Sequence, residues 1–327
     1  MRYVVFGAGA IGCTLGAHLH MTGAEVVLVG RGEQARVIGE AGLHFVTGDH
    51  DLTLDIPIVD SATSAGSFTD ETTVLLCVKS QHTLPALGQL KSAGAGRSTS
   101  LVCCQNGIWN EPTAARVFRD IHGMSTLVRS VFLRPGLVLN PMTGTYGFVE
   151  VGRFPSGVDS LDEALADDLR RAGFSARTHP DVMLPKAAKC LGNLGNVVRA
   201  LVDPVAEELE ERLRTEAADV WRACGIEWED YAEFRRRVEE LRGRFEVPPG
   251  YEDELGFGST WQSIRRNAGS VETGLLNGEV VRLGELVGVE APYNRLVTDL
   301  AEQMVREGLP LSWYTEQEIL DMVPGSS

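Results

Sequence analysis

Continuous apolar runs mark the first part of the chain. Arg2 to Phe6, Glu25 to Val29, Val74 to Val78 and Leu101 to Cys104 show no apolar/polar alternation. Strands of that kind fit a parallel sheet covered on both faces. Ala10 to Thr22 is long enough for a helix, and Gly23 closes it. Helical stretches between such strands indicate βαβ units. Val138 to Val151 and Ser175 to Thr178 read as later strands of the same sheet. After His179-Pro180 the pattern turns helical. One helix is predicted from Leu184 to Leu201. A second has Asp203 at its N-cap and Pro204 at its first position. Val205, Leu209, Leu213, Ala217, Val220 and Cys224 follow at helical spacing, and Gly225 ends the run. Pro248-Pro249-Gly250 marks a loop, with further helices from Ser259, from about Leu275 and from Pro292. The pattern divides the chain into an α/β domain, 1–179, and an all-helical domain, 180–327.

Composition narrows the partners. The 327 residues carry 45 acids and 30 bases, a formal charge of −15. Residues 203–254 hold 17 acids and 8 bases, so 17 − 8 leaves a net −9 in a solvated helical stretch. That balance argues against nucleic acid, which wants a basic patch, and against anionic membranes. No apolar run approaches the ~18 residues of a membrane span. Met1-Arg2-Tyr3 before an apolar stretch looks a little like a secretion signal, but Gly7, Gly9 and Gly12 interrupt it. The expectation is a mature cytoplasmic terminus. The cysteines at 13, 77, 103, 104, 190 and 224 form neither CxxC nor a Cys/His ligand spacing. They read as buried reduced thiols, and no metal site is expected.

Gly7-Ala8-Gly9-Ala10-Ile11-Gly12 is GxGxxG, placed after a strand and opening a helix. In that context it is a dinucleotide-binding turn of Rossmann type. The first glycine permits the turn, the second lets the backbone approach a pyrophosphate, and the third lets helix and strand pack closely. The helix N-terminus then offers N–H groups to the phosphates. An NAD site wants Asp or Glu at the end of the second strand. This chain has Gly30-Arg31 there, and a guanidinium suits a 2′-phosphate. The reading is NADP(H).

Lys189, Asn193, Asn196 and Ala200 are spaced 4, 3 and 4, one face of a helix whose neighbouring positions are apolar. Polar groups beside a buried face need partners. A lysine in such a cleft can serve as a general acid. Lys186, three residues earlier, could share that face and is the decoy. Gly192 and Gly195 allow another backbone or a ligand to come close. Ser259-Thr260-Trp261-Gln262 reads as a capping box whose helix N-terminus could bind a carboxylate. Glu272 lies in a turn between helical patterns.

With these pieces in order, the chain resembles the ketopantoate reductase family along nearly its full length. The resemblance is carried by GAGAIG at 7–12, Arg31, Cys77-Val78-Lys79-Ser80-Gln81 and Gln105-Asn106-Gly107. It continues through Lys189, Asn193, Asn196, Ala200-Leu201, Ser259-Thr260, Gln262, Glu272, Asn277-Gly278 and Ala291-Pro292-Tyr293-Asn294. It implies a Rossmann domain followed by a helical domain like the C-terminal domain of 6-phosphogluconate dehydrogenase, with substrate between them. It also implies hydride transfer from NADPH to the C2 carbonyl of a 2-oxo acid, ketopantoate or a close analogue. Lys189 would be the general acid and Glu272 its catalytic neighbour. Asn193, Asn196, Ser259 and Thr260 would bind substrate. Gly7, Ala8, Gly9, Ala10, Ile11, Gly12, Arg31, Lys79, Asn106 and Glu272 would hold the cofactor, with Asn106 also reaching substrate. Homodimers through the helical domain are a further implication. Trp261 and Ser263 depart from the family's Met and Asp, and Asn196 comes at +7 from Lys189 where some members have +8. A dehydrogenase or imine reductase with a different substrate is the alternative, and a non-enzymatic dinucleotide sensor a third reading.

Overall fold

The computed structural model describes residues 1–97, 99–202, 206–252, 261 and 272–323. The chain falls into two compact units, Met1–Lys186 with Ala232–Leu255, and Ala187–Tyr231 with Gly256–Ser327.

In the first unit, β1 (Arg2–Phe6) leads through the glycine turn into α1 (Ala10–Met21), then β2 (Glu25–Val29) and α2 (Gly32–Ala41). β3 (Leu43–Thr47), β4 (Asp51–Leu54), β5 (Ile58–Val59) and β6 (Thr72–Leu76) follow. Next come α3 (Thr83–Ser92), β7 (Ser100–Cys103), α4 (Asn110–Ala115) and β8 (Ile121–Leu127). β9 (Val131–Arg134), β10 (Leu137–Asn140), β11 (Met142–Thr143), β12 (Phe148–Arg153), α5 (Ser160–Arg171) and β13 (Ser175–Thr178) close this stretch.

The main sheet runs β13-β12-β8-β7-β6-β1-β2-β5. β5, β2, β1, β6, β7 and β8 pair in parallel. Tyr3 and Val5 enter one core cluster and Val4 and Phe6 the other, so both faces of β1 are buried. That is why these strands read as unbroken apolar runs. Phe6 pairs with Val29 and with Leu76, and Leu76 with Cys103. The loops after those four residues therefore leave one edge of the sheet, on either side of the point where strand order reverses at β1, the usual ligand edge of such sheets.

Two expectations need correction. β12 pairs antiparallel with β8, so the sheet is mixed. Leu137–Asn140 does not belong to it: the segment pairs with β3 and β9 in a separate four-stranded sheet, β4-β3-β10-β9. Its partners were hidden because His44, Thr47, Asp51 and Thr53 break any continuous apolar run. Gln34 ties this second sheet to the glycine turn, donating to the Ala8 carbonyl and accepting from Gly136 N–H.

The predicted helix 184–201 is three pieces: α6 (Met183–Asn193), a 3₁₀ turn (Leu194–Asn196) and α7 (Val198–Leu201). The glycines sit at close approaches. A Cβ on Gly192 would stand 2.8 Å from the Tyr231 hydroxyl, and one on Gly195 2.8 Å from the Glu210 carboxyl carbon. α8 runs Glu207–Ala223 with Ala206 at its N-cap and buries Leu209, Leu213, Ala217 and Val220 as the spacing predicted. It starts later than expected, and Asp203-Pro204 lie outside the described residues. α9 (Tyr231–Leu241), α10 (Thr273–Val287), α11 (Pro292–Glu307) and α12 (Glu316–Asp321) complete the helices among the described residues. In the second unit Glu216 accepts from the Tyr293 and Asn294 N–H groups at the start of α11. The Asn294 amide in turn donates to Leu213 O, and Asn277 donates to the Asn294 side chain. No helix among the described residues is long and apolar enough to cross a membrane. All six cysteines are free thiols, four of them buried.

Candidate active site

The GxGxxG turn has the geometry its residues demand. Gly7 has φ +120°, and a Cβ there would lie 2.7 Å from Val78 N. A Cβ on Gly12 would collide with the Gly7 carbonyl oxygen, so helix and turn meet at a distance only glycine allows. Beside Gly9 there is open space to 4 Å, and no side chain caps α1. The N–H groups of its first turn therefore present a positive end with room in front of it. This cradle fits a pyrophosphate. Gly30 is equally constrained, since a Cβ would meet Ala8 Cβ at 2.9 Å. Arg31, the N-cap of α2, is exposed, and Lys79 is half-buried in the loop after β6.

Two neighbouring loops of this edge are interlocked. Gln105 Nε2 donates to Thr83 Oγ1 (2.8 Å), and Thr83 Oγ1 donates to Asn110 Oδ1 (2.8 Å). Asn110 Nδ2 donates to Asn106 O (2.9 Å) and to Ser80 Oγ (3.3 Å), and Ser80 Oγ donates to Asn106 O (3.3 Å). Gly107, at φ +81°, closes the turn. The Lys79-Ser80-Gln81 and Gln105-Asn106-Gly107 segments are thus one polar network.

Lys186 is not on an open face. Its side chain is buried, with Nζ 3.1 Å from Cys103 O, 3.0 Å from Gln105 O, 2.9 Å from Met124 O and 2.9 Å from the buried Glu111 Oε1. Burial pushes the Glu111 carboxyl up, and the adjacent ammonium pulls it back.

In the second unit Lys189 and Asn193 lie on α6 and Asn196 in the 3₁₀ turn that follows it. Lys189, Asn193 and Asn196 are all half-buried. Asn196 Nδ2 donates to Asn193 Oδ1 at 3.4 Å. Asn193 Nδ2 is buried with no hydrogen-bond partner among the described residues. A buried donor left this way needs an explanation, and an absent ligand is one. Glu272 is half-buried at the N-cap of α10, its carbonyl accepting from Leu275 N–H. Ser259, Thr260, Gln262 and Ser263 lie outside the described residues.

Two family models match: Ketopantoate reductase PanE/ApbA over residues 3–156, and Ketopantoate reductase PanE/ApbA C terminal over residues 187–305. The chain belongs to the ketopantoate reductase family. A 2-dehydropantoate 2-reductase of Pyrococcus horikoshii is 27% identical over 313 residues, 92% of this chain and 97% of that relative. One from Archaeoglobus fulgidus is 27% identical over 312 residues, 91% of this chain and 96% of its own length. The crystal structure of a PanE/ApbA family ketopantoate reductase from Ralstonia eutropha matches with TM-score 0.75 at 25% identity, covering 94% of this chain and 99% of that one. D-mandelate dehydrogenase with NADH and anilino(oxo)acetate has the same fold, with TM-score 0.77 at 24% identity over 94% of this chain and 99% of that one. As a member of the ketopantoate reductase family the chain is an oxidoreductase of the CH–OH/C=O type that uses a nicotinamide dinucleotide.

For this family member, sequence reasoning missed the Thr83–Asn110 links and the Lys186–Glu111 pair. Glu111 is 75 residues from Lys186, and no local spacing joins them (186 − 111 = 75). The one available signal was a lysine amid Pro185, Ala187 and Ala188, which is costly unless paired.

Proposed function

We propose that this chain reduces a 2-oxo acid to the 2-hydroxy acid with NADPH, and that ketopantoate is the substrate. The observation that carries the reading is the pair Lys189 and Asn193, one helical turn apart, with the Asn193 amide N–H buried and unpaired among the described residues. When bound, NADPH supplies the hydride for C2. The chain supplies the rest. The Gly7–Gly12 turn and the α1 N-terminus hold the pyrophosphate, Arg31 meets the 2′-phosphate, and Lys79 meets the adjoining ribose and phosphate oxygens. Asn106 orients the reacting end of cofactor and substrate. Negative charge grows on the C2 oxygen, and the Lys189 ammonium both stabilises it and gives it a proton. Glu272 orients Lys189 and the substrate oxygens. Asn193 and Asn196 bind a substrate hydroxyl or carboxylate, with Ser259 and Thr260. Free thiols throughout are in keeping with a cytoplasmic enzyme.

The test is cofactor consumption by purified protein against a panel of 2-oxo acids and preformed imines. Ketopantoate is expected to give the highest kcat/KM. Turnover that requires an amine would refute the reading.

A further inference from the structure

Lys186 and Glu111 are an expensive way to fill the space between β7, β8 and α6. Two apolar side chains of similar volume would hold a core there as well or better, because a buried ion pair must offset two desolvation penalties. Yet both members of the pair are enclosed. Gly123 on β8 faces them: a Cβ there would press on Val182 Cγ1 at 2.9 Å and stand at ordinary contact distance, 3.4 and 3.5 Å, from Lys186 Cδ and Glu111 Oε1. Glu111 is fully buried, and Lys186 is 3% exposed.

The location of the three carbonyls says what the ammonium does. β7 ends at Cys103, and from there the chain must leave the sheet ladder to form the Asn106 turn. Carbonyls at such an exit lose their strand partners. Lys186 Nζ sits against Cys103 O and Gln105 O, bracketing the exit, and against Met124 O on the neighbouring strand. An ammonium has three N–H groups, and the three carbonyls take them all, so Glu111 meets Lys186 as an ion pair. Gln105 is thereby held twice, at its carbonyl by Lys186 and at its side chain by Thr83. The next residue is Asn106, whose own carbonyl is held by Ser80 and Asn110.

We propose that Lys186, kept in place by Glu111, is a positioning residue that sets the Gln105–Gly107 turn and so aims Asn106 at the reacting groups. The inference rests on the 2-oxo acid reductase reading for its kinetic consequence, while the geometry of the turn stands apart from it.

The test uses the full-length double variant Lys186→Met/Glu111→Leu, which removes both charges together and keeps an apolar filling. It should fold. Its kcat/KM for ketopantoate should fall roughly tenfold or more, because small misplacements of an orienting group are costly in rate. Its Kd for NADPH should stay within about threefold, since the glycine turn and Arg31 carry most of that binding. Hydrogen exchange at the Gln105–Gly107 amides should speed up. Should the double variant fail to fold, Lys186→Met alone takes its place, because a buried carboxyl left without a partner takes up a proton rather than staying charged. A folded variant with unchanged kcat/KM and unchanged exchange at the turn overturns the proposal. If the parental protein turns over no 2-oxo acid, the proposed reaction fails, and exchange at Gln105–Gly107 alone decides the positioning role: faster exchange supports it and unchanged exchange overturns it.

Discussion

Lys186 and Lys189 stand three residues apart on α6 and live in different surroundings. Lys186 has four oxygens within 3.1 Å and almost no exposed surface. Its protons are committed to carbonyls, and a group in that state is a poor proton donor to a changing series of substrates. Lys189 keeps part of its surface, and it precedes an asparagine whose amide is short of an acceptor. The contrast supports the proposal that Lys189 is the proton donor. Lys189→Ala should lower kcat by about 100-fold or more, the usual scale for a general acid. Steady-state kinetics under saturating cofactor measures it. A kcat close to the parental value would pass the role to water.

The elements differ in how plainly they can be read from residues. β1, β2, β6 and β7 announce themselves as unbroken apolar runs because both of their faces are buried. β3 does not, because His44 and Thr47 interrupt it, and β10, legible as a strand, pairs with β3 rather than with the main sheet. The glycine turn was legible because its chemistry depends on a local spacing. The Lys186–Glu111 pair was not, because it joins α4 to α6 across 75 residues (186 − 111 = 75). The β8–α5 junction holds another long-range group of this sort. His122 on β8 places Nδ1 2.7 Å from Asp162 and Nε2 3.4 Å from Asp120. Arg153 bridges Asp120 and Asp159, and Asp159 and Asp162 form the capping box of α5. Burial penalises the charged ring, but the two carboxylates outweigh it and raise the His122 pKa to about 9. This exceeds the unfolded value of about 6.5, so the contribution is complete below pH ~6.5 and fades as pH rises through ~9. The loss should be on the order of 3 kcal/mol. Urea unfolding from pH 6.5 to 9.5 should show stability falling in the parental protein, and His122→Gln should remove most of that slope. Equal slopes in the two proteins would disprove the linkage.

At the scale of the molecule, the sign of the charge opposes its ligands. A protein of net −15 is proposed to bind an anionic cofactor and an anionic acid. Many of the acids are locally paired. On α8 and α9, Arg212 pairs with Glu208, Arg214 with Glu210 and Glu211, and Arg236 with Glu240. Fields from such exposed charges are screened within about 8 Å at physiological salt. On the proposed reading the ligand then responds chiefly to nearby groups: the α1 N-terminus, Lys79 and Arg31. Of these, Arg31 is the one proposed to separate NADPH from NADH, since only the former carries the 2′-phosphate. A ligand at a hundred times its Kd adds about 2.7 kcal/mol to stability, and a tenfold weaker Kd removes about 1.4 of that. At equal concentrations NADPH should therefore raise Tm more than NADH does. Arg31→Ala should bring the two shifts together by weakening NADPH alone, roughly tenfold in Kd, the low end for an exposed charge-assisted contact. Thermal shift and fluorescence titration with both cofactors measure the effect. An equal loss for NADPH and NADH would show that Arg31 contacts a part common to the two and would leave the 2′-phosphate to another residue.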